Sequence, residues 1–303
     1  MAYNQYSCAV EDWQNTGFDK CNVNLGPFSM IILTTDDFTI ATETLAMALA
    51  TWTEGIQERD VFPLPKIWSE TDQSEKDTYE TSPLGYKKLG KEGLYGGEFM
   101  LDAPLGIQRA LRSFNGADLR VFYVDINGNI HGMNQTGTVL QGFKLDLFHC
   151  EGMSNIVTAG ETRKVVITLT EKTPADRDDY GVVVTPTDFN PNDLEGLKDV
   201  DLTIVGSPTT SSIVVDVKTS LGQVGLSGLV TADFLEETAL GVDHTISSAT
   251  ESATIAGRYT LASAAAFVTA DVLDLIPTGY PTGTGMLSIA GYQSTGPVVV
   301  TIA

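Results

Sequence analysis

The clearest strand pattern in this chain of 303 residues is Leu119-Arg-Val-Phe-Tyr-Val-Asp-Ile-Asn-Gly-Asn-Ile-His-Gly-Met133. Val121, Tyr123 and the residues after Gly128 alternate as in half-buried strands, and Asn127-Gly128 is the dipeptide most typical of a two-residue type I′ hairpin turn. A third strand is predicted directly afterwards, with Phe143, Leu145 and Leu147 on one face. The stretch therefore predicts an antiparallel meander, and it holds no residue pattern typical of catalysis.

The composition is that of a folded chain with an acidic surface. Hydrophobic residues make up 42% of it, and 18 basic residues stand against 39 acidic ones, which gives a net charge of −21. Such a surface repels phosphate backbones, so we expect no nucleic-acid binding. No apolar run reaches the ~18 residues of a membrane span, and the N-terminus lacks the pattern of a secretion signal. We expect folding in a cytoplasm and no membrane partner.

Residues that could perform chemistry do not group together in the sequence. The acidic runs that begin at Asp125 and Asp176 resemble the start of a calcium loop but lack its later ligands, so we interpret both as turns. His131 is expected on a solvated strand rather than as a general base. We therefore predict no enzyme activity, no cofactor and no metal site.

Other segments of the first part predict strands and two helices. Residues 28–34 have the pattern of a buried strand, and apolar residues over 41–56 recur at helical spacing, with Thr39 as a candidate cap. A short helix is predicted over 105–114, and a strictly alternating strand over 163–171. The first part is thus predicted to be α+β, with mostly antiparallel strands.

A long polar stretch over residues 66–98 follows the predicted first helix. It holds 5 basic and 7 acidic residues, and it is far longer than an ordinary connection of about 4–6 residues. It is either a flexible linker or a hairpin that projects towards a partner, and we favour a projecting arm because it carries apolar anchors. The arm residues predicted to make the contact are Trp68, Tyr79, Pro83, Tyr86, Lys87 and Lys88.

The composition changes in the second part of the chain. Residues 172–198 are acidic and rich in turns, so we place the domains at 1–190 and 191–303. About seven short strands in roughly 105 residues, separated by Gly, Ser and Thr turns, are typical of an immunoglobulin-like sandwich. The predicted strands lie at 202–205, 212–218, 253–261, 266–276, 286–290 and 298–302. The predicted fold is mostly β: an α+β first domain followed by an immunoglobulin-like β-sandwich.

With these elements in order, the chain resembles the structural proteins of tailed bacteriophages, in particular their tail tube proteins. The resemblance covers roughly residues 28–171 and rests on the order strand, helix, polar arm, strand, short helix and meander. The stretches that carry it are Tyr123-Val-Asp-Ile-Asn-Gly-Asn-Ile-His-Gly132, Gly142-Phe-Lys-Leu-Asp-Leu-Phe148 and Tyr79-Glu-Thr-Ser-Pro-Leu-Gly-Tyr-Lys-Lys88. Immunoglobulin-like C-terminal additions are also common on virion proteins.

The resemblance implies the major tail tube subunit of a virion. Its fold would be a tail-tube-like antiparallel β-sandwich or barrel with flanking helices and a long loop. Copies would form hexameric rings that stack into a tube with an acidic channel, through which DNA passes without specific binding. The protein would be assembled in the host cytoplasm, contact other tail proteins and end in the virion tail. The arm would join rings, and the residues of the channel-lining or inter-subunit sheet would be Tyr123, Asp125, Lys144 and Asp146.

Two alternatives remain open. A capsid decoration, collar or tail-terminator protein would also belong to a virion, with the terminal sandwich facing outward. A surface carbohydrate-binding module is the alternative of another class. The expected lack of a secretion signal and of a concentrated aromatic patch argue against that module.

Overall fold

The computed structural model describes residues 4–5, 26–103, 105–137, 139–152, 165–238, 240–275 and 291–302. Across these ranges the protein is mostly β, as the sequence predicted. The chain divides into two compact units, one that contains residues 59–195 and one that contains residues 196–303. The boundary predicted from the sequence lies after residue 190.

The first part of the chain contains the following strands: β1 (Asn4–Gln5), β2 (Phe28–Thr35), β3 (Val61–Pro63), β4 (Ile67–Asp72), β5 (Thr78–Thr81), β6 (Lys87–Lys91), β7 (Gly96–Leu101), β8 (Leu119–Asp125), β9 (Ile130–Met133), β10 (Phe143–Cys150), β11 (Val165–Glu171) and β12 (Gly181–Val184). Its helices are α1 (Glu43–Ala46), α2 (Leu49–Gln57), α3 (Gln108–Arg112) and α4 (Pro174–Asp178). Single 3-10 turns lie at Leu105–Ile107 and Pro191–Asp193.

One curled antiparallel sheet encloses the core of the first unit. Strand β8 pairs with β2 along one edge, and β9 and β10 share its other edge. Strand β10 then leaves β8 at a bulge between Leu145 and Leu147 and pairs with β11, which continues to β7 and β4. Because a bulge bends a strand and increases its twist, it helps the sheet to curl into a half-barrel. The hairpin partner β9 pairs in turn with β12, and β12 with β1.

Strand β8 is buried on both of its faces. Val121 and Tyr123 face the interior of the half-barrel, where they pack with Ile31 of β2. Phe122 points to the opposite face and meets the ring of Trp52 on α2, with 5.2 Å between the ring centroids. Helix α2 therefore covers the outside of the sheet, which explains why β8 is almost continuously apolar.

The predicted first helix is in fact two helices. Thr42, and not Thr39, caps α1, because its hydroxyl accepts a hydrogen bond from the backbone N–H of Leu45 at 3.3 Å. Leu45 and Leu49 were expected on the buried stripe but are exposed, whereas Trp52 is fully buried. The break between the two helices changes the helical phase, so the stripe that includes Trp52 faces the sheet.

The hairpin between β8 and β9 has a three-residue loop instead of the predicted two-residue turn. The backbone N–H of Asp125 donates to the carbonyl of Asn129, and the N–H of Gly128 donates to that of Asp125, both at 3.0 Å. Gly128 has φ 81°, so this is a type I turn closed by a glycine in the left-handed region. The Asp125 carboxylate stabilises the loop by accepting the backbone N–H groups of Asn127 and Asn129.

The segment that follows β12 is anchored to this hairpin. The side-chain amide of Asn192 donates to the carbonyl of Asp125 at 3.2 Å, and its oxygen accepts a hydrogen bond from the Ser29 hydroxyl. Pro191 and Leu194 are buried. The polypeptide therefore stays attached to the first unit up to the end of that unit at Glu195.

The second unit contains eight described strands: β13 (Lys198–Val205), β14 (Ile213–Thr219), β15 (Phe234–Glu237), β16 (Asp243–Glu251), β17 (Arg258–Ser263), β18 (Val272–Leu275), β19 (Tyr292–Ser294) and β20 (Val298–Val299). The order β13-β14-β17-β16 continues through β15 to β18 and β20. The strands can be lettered A to G along the chain, with β19 and β20 counted together as G. Strands β13, β14, β17 and β16 then form the sheet ABED, and β15, β18 and β20 form the sheet CFG. This is the arrangement of an immunoglobulin-like sandwich. Its core includes Val215, Tyr259, Phe267 and Leu273.

The sequence located these strands unevenly. The predicted strands at 202–205, 212–218, 253–261, 266–276 and 298–302 overlap β13, β14, β17, β18 and β20, but β15 and β16 were not predicted. Strand β16 was missed because Ile246 is its one fully buried residue and the rest of the strand is polar or half-exposed. Residues 253–257, predicted as part of a strand, form a turn. The strand predicted over 286–290 lies outside the described residues.

Asp216 joins two basic side chains on the sheet of the second unit. Its carboxylate is 7% exposed and accepts hydrogen bonds from Arg258 Nε at 2.6 Å and from Lys218 Nζ at 2.9 Å. These contacts, that of Arg258 foremost, lower the pKa of Asp216 from its ordinary 3.8 to about 2. Because the folded pKa lies below the unfolded one, the stabilisation is complete at neutral pH and is lost as the pH falls towards 2.

We expect Asp216→Asn to lower the free energy of unfolding of the second unit by about 2 kcal/mol at pH 7 and by much less near pH 2. Urea unfolding monitored at both pH values measures the difference. Asp243→Asn, at an exposed residue that begins β16, is the matched control and should change the stability by less than about 0.5 kcal/mol. An equal loss at both pH values for Asp216→Asn would contradict the ionic explanation.

Candidate interaction surface

Residues 67–101 form a hairpin, which we call the arm. Strands β4 and β7 pair at its base, and β5 and β6 pair near its tip. Between the two pairs the backbone N–H of Glu75 donates to the carbonyl of Leu94 at 2.8 Å, and the N–H of Gln73 donates to the carbonyl of Gly96 at 2.9 Å. The ladder therefore continues from base to tip, and the stretch predicted over 66–98 is a hairpin and not a linker.

The join between the two halves of the arm requires a glycine. A Cβ atom placed on Gly93 would lie 2.1 Å from the carbonyl oxygen of Glu75, a distance that no side chain tolerates. The backbone N–H of Gly93 also donates to the Asp77 carboxylate at 2.8 Å. Lys91 and Glu75 add an exposed ion pair at 2.6 Å, which contributes little in water. Backbone contacts, more than charges, hold this part of the arm together.

The tip of the arm is a tight turn. The N–H of Gly85 donates to the carbonyl of Ser82 at 2.9 Å across Pro83 and Leu84, and the N–H of Ser82 donates to the carbonyl of Tyr86 at 2.8 Å. Proline is favoured at the second position of such a turn because its φ is already fixed. Gly85, at φ 85°, takes the left-handed position. The turn places the Leu84 and Tyr86 side chains at the end of the arm.

The two faces of the β5–β6 ribbon differ in character. Tyr79 lies opposite Leu89, and Glu80 lies opposite Lys88 on the other face. Every residue of β5 and β6 is exposed in the protomer. The largest apolar side chains have high exposed fractions: Leu84 84%, Tyr86 75%, Tyr79 60% and Leu89 40%. The ribbon thus carries the apolar pair Tyr79–Leu89 on one face, next to Thr81 and Lys87, and the pair Glu80–Lys88 on the other, and the protomer covers neither face.

The charge of the tip is opposite to that of the whole chain. Residues 78–91 contain Lys87, Lys88 and Lys91 against Glu80, which gives +2. Since the whole chain carries −21, the remaining residues sum to −23. A positively charged tip on a strongly acidic protein is attracted to surfaces like those of its own remainder.

The six predicted arm residues all lie on exposed positions of the arm. Trp68 is on β4, Tyr79 on β5, Pro83 in the turn, Tyr86 before β6, and Lys87 and Lys88 on β6. The structure adds Leu84 and Leu89, which the sequence analysis did not select. The register of the hairpin, once the turn at Pro83 is recognised, would have paired Leu89 with Tyr79.

The predicted sheet residues need a correction. Tyr123 and Asp125 are completely buried, so neither side chain can line a channel or reach another subunit. Tyr123 packs in the half-barrel, where burial raises its pKa well above the ordinary 10.0, and Asp125 stabilises the hairpin loop. Lys144 is half-buried and bonded to Asp36 at 2.8 Å, whereas Asp146 is exposed. Both faces of β8 are covered, which the alternation of residues could not show.

The interior of the half-barrel contains an ion pair that the sequence analysis missed. Arg177 on α4 donates to both carboxylate oxygens of Glu171, and the two side chains are 12% and 1% exposed. The guanidinium lies 3.8 Å from the ring centroid of Tyr95 and 4.8 Å from that of Phe143. Burial raises the pKa of Glu171 and the charge of Arg177 opposes that shift. The pair is a structural feature of the core.

Two polar residues expected in solvent or in turns are also structural. The run that begins at Asp176 starts in the last residues of helix α4 and continues in a turn at residues 179–180, so the predicted turn is present only in its second part. His131 is fully buried instead of solvated, beside the Asp125 carboxylate at 3.4 Å. Burial lowers its pKa, although the neighbouring carboxylate acts in the opposite direction. Within the described ranges, no group of three or more His, Cys, Asp or Glu residues could hold a metal ion.

Two further observations complete the description of the surface. Among the described residues, no helix is both long enough and apolar enough to cross a membrane. The arm is the part of the first unit where large exposed apolar side chains concentrate.

No protein-family model matches this chain, and no curated protein matches it.

Proposed function

We propose that this protein is a self-assembling structural subunit, the major tail tube protein of a bacteriophage virion, whose arm contacts a second copy. The observation that carries the proposal is the arm itself. It presents large apolar side chains that the protomer leaves uncovered, with a tip charge of +2 on a chain of −21. Within the described residues, we find no constellation that supports catalysis instead.

Energetics favour a partner for the ribbon. A two-stranded hairpin is marginally stable in water unless its apolar face packs against something. Full burial of a large apolar side chain contributes about 1.5–3 kcal/mol. Tyr79, Leu84, Tyr86 and Leu89 together could therefore account for most of a specific contact, even after the cost of ordering the arm.

Charge favours a second copy as that partner. The lysines of the tip are attracted to the acidic remainder of another protomer, and such steering raises the association rate. Where the arm of one copy contacts a different surface of the next and the second copy does not return the contact, the interface is heterologous and does not close into a dimer. Repetition of the contact builds a stack.

The remaining features of the proposal extend this contact to a tube. Copies joined side by side would form hexameric rings, and the arms would link one ring to the next. An acidic channel repels DNA phosphates, so DNA could pass without adhering. The assembled protein would lie in the virion tail, next to other tail proteins, after assembly in the host cytoplasm.

Negative-stain microscopy and sedimentation of the purified full chain test the proposal. We expect stacked rings or tubes, and a growth rate that falls as NaCl is raised to about 1 M, where the screening length is about 3 Å. Discrete rings that do not stack would instead indicate a collar or tail terminator. A mass equal to one copy at every concentration and salt level would contradict self-assembly and would favour a decoration protein.

A further inference from the structure

The interior of the second unit contains a carboxylate that has no hydrogen-bond partner within the protein. Glu236 lies on β15, and its side chain is 0% exposed. Neither of its carboxylate oxygens is hydrogen-bonded. A buried carboxylate is normally paired with a cation or bound to a metal ion, because removing its charge from water is otherwise costly. The environment of Glu236 therefore calls for a positively charged neighbour.

Strand pairing determines what surrounds this carboxylate. Glu236 and Phe234 occupy alternate positions of β15 and are both buried, so they share the inner face of the strand. Leu273 lies opposite Glu236 on β18, and His244 lies opposite it on β16. The side chain of His244 is 31% exposed. The carboxylate thus has an apolar neighbour on one side and a histidine that reaches solvent on the other.

The basic side chains of the second unit are engaged away from Glu236. Residues 196–303 contain three lysine and arginine residues: Lys198, Lys218 and Arg258. The last two bond to Asp216, and the ammonium of Lys198 lies 5.9 Å from the ring centroid of Tyr292. With 10 acidic residues against these 3, the unit carries −7, which attracts cations from solution.

His244 lies close to Glu236 without bonding to it. The distance from its Nδ1 to Oε1 of Glu236 is 3.7 Å, which is too long for a hydrogen bond. This nitrogen is itself buried and has no hydrogen-bond partner. Zinc bonds to imidazole nitrogen and carboxylate oxygen at about 2.1 Å. Two such ligands 3.7 Å apart would subtend about 120° at the ion, which is close to a tetrahedral angle.

We propose that Glu236 and His244 bind a divalent transition-metal ion, with Zn²⁺ as the best fit. An imidazole nitrogen suits zinc, copper and nickel, whereas calcium and magnesium prefer oxygen ligands. The protein provides two ligands, and water that enters beside the partly exposed His244 completes the coordination. The affinity is therefore lower than that of a site with four protein ligands. The site lies in the second unit and does not depend on assembly through the arm.

Protonation of either residue satisfies these atoms less well. A protonated Glu236 would donate its O–H to an acceptor, and neither oxygen has a partner. A protonated His244 would balance the charge, but its Nδ1 at 3.7 Å makes no hydrogen bond to the carboxylate. A metal ion bonds to both atoms at the separation that the structure shows.

Calorimetric titration of the full chain with ZnCl₂ in a background of excess MgCl₂ tests the proposal. The Mg²⁺ occupies weak sites on the acidic surface. We expect one Zn²⁺ per copy with a Kd of about 1–100 μM. His244→Ala should weaken that binding at least about tenfold. His149→Ala, at an exposed histidine of β10, is the matched control and should bind zinc as the unmodified protein does.

A second variant separates metal binding from folding. Glu236→Gln keeps the size of the side chain but removes its charge. We expect this variant to lose zinc binding, with an unchanged or higher melting temperature in the absence of metal, because an unpaired buried charge is gone. In the unmodified protein, saturating Zn²⁺ should raise the melting temperature, because the ion binds the folded site.

Three results would overturn the proposal. The first is a Kd for Zn²⁺ weaker than about 1 mM. The second is zinc binding by His244→Ala or Glu236→Gln as tight as that of the unmodified protein. The third is displacement of Zn²⁺ by equimolar Mg²⁺, which would assign the binding to the general acidity of the surface.

Discussion

A variant in which two glycines replace residues 78–91 is expected to remain a single folded copy under conditions where the unmodified protein stacks. The change removes β5, β6 and the three lysines of the tip but keeps the pairing of β4 with β7. The deleted residues are exposed throughout, so their loss should not affect the core. Circular dichroism checks the fold, and sedimentation with negative-stain microscopy checks assembly. Tubes of normal length from this variant would remove the arm from the mechanism.

Point variants identify which property of the arm matters. Tyr79→Ser combined with Leu89→Ser removes the apolar cross-strand pair of the ribbon. It should weaken the affinity between copies at least about tenfold, since each apolar side chain contributes about 1.5–3 kcal/mol when buried. Leu221→Ser combined with Val224→Ser alters two exposed apolar residues of the second unit, which are 70% and 64% exposed, and is the matched control. Equal loss of assembly in both pairs would indicate general stickiness rather than a contact made by the arm.

Arg177→Ala is expected to be the most destabilising single substitution described here. It leaves the Glu171 carboxylate, 1% exposed, without its cationic partner inside the half-barrel. Removal of one member of a buried ion pair typically costs about 3–5 kcal/mol. Urea unfolding of the first unit measures the loss. A change of less than about 1 kcal/mol would mean that water reaches the pair and that it acts as a surface salt bridge.

The pH dependence of that variant has a definite sign. Burial already raises the pKa of Glu171 above its ordinary 4.5, and loss of the Arg177 charge should raise it further. A carboxyl group whose folded pKa exceeds its unfolded pKa takes up a proton on folding, so stability falls as the pH rises between the two values. Arg177→Ala should therefore be less destabilised at pH 4 than at pH 7. Replacing the pair by Glu171→Gln with Arg177→Met should restore part of the stability at pH 7.

Local sequence patterns were sufficient to predict those strands whose neighbours in the sheet stay the same along their length. Strands β2 and β11 were predicted because each keeps one residue pattern throughout. Strand β10 was not predicted correctly over its whole length. The alternation placed Leu147 inside with Leu145, but the bulge shifts the phase, so that Leu147 is exposed and Phe148 is buried. The shift arises because β10 exchanges β8 for β11, and no local pattern records that exchange.

The candidate surface could be predicted from length and composition, but the interior could not. An unusually long polar stretch with apolar residues indicated the arm, and its selected residues are exposed. Tyr123 and Asp125 were misplaced because the burial of β8 depends on a helix and a hairpin distant in sequence. Glu171 and Arg177 were missed for a related reason, since a one-turn helix brings the arginine into the half-barrel.

The anchored segment around Asn192 has a practical consequence for engineering. Hydrogen bonds from Asn192 to Ser29 and Asp125 hold the main chain against the first unit up to this point. The position of the last residues of that unit is therefore fixed relative to the half-barrel. A foreign enzyme or epitope inserted after Glu195 would therefore start from a fixed position and would leave the half-barrel unchanged. The end of the first unit is therefore a suitable point at which to attach cargo.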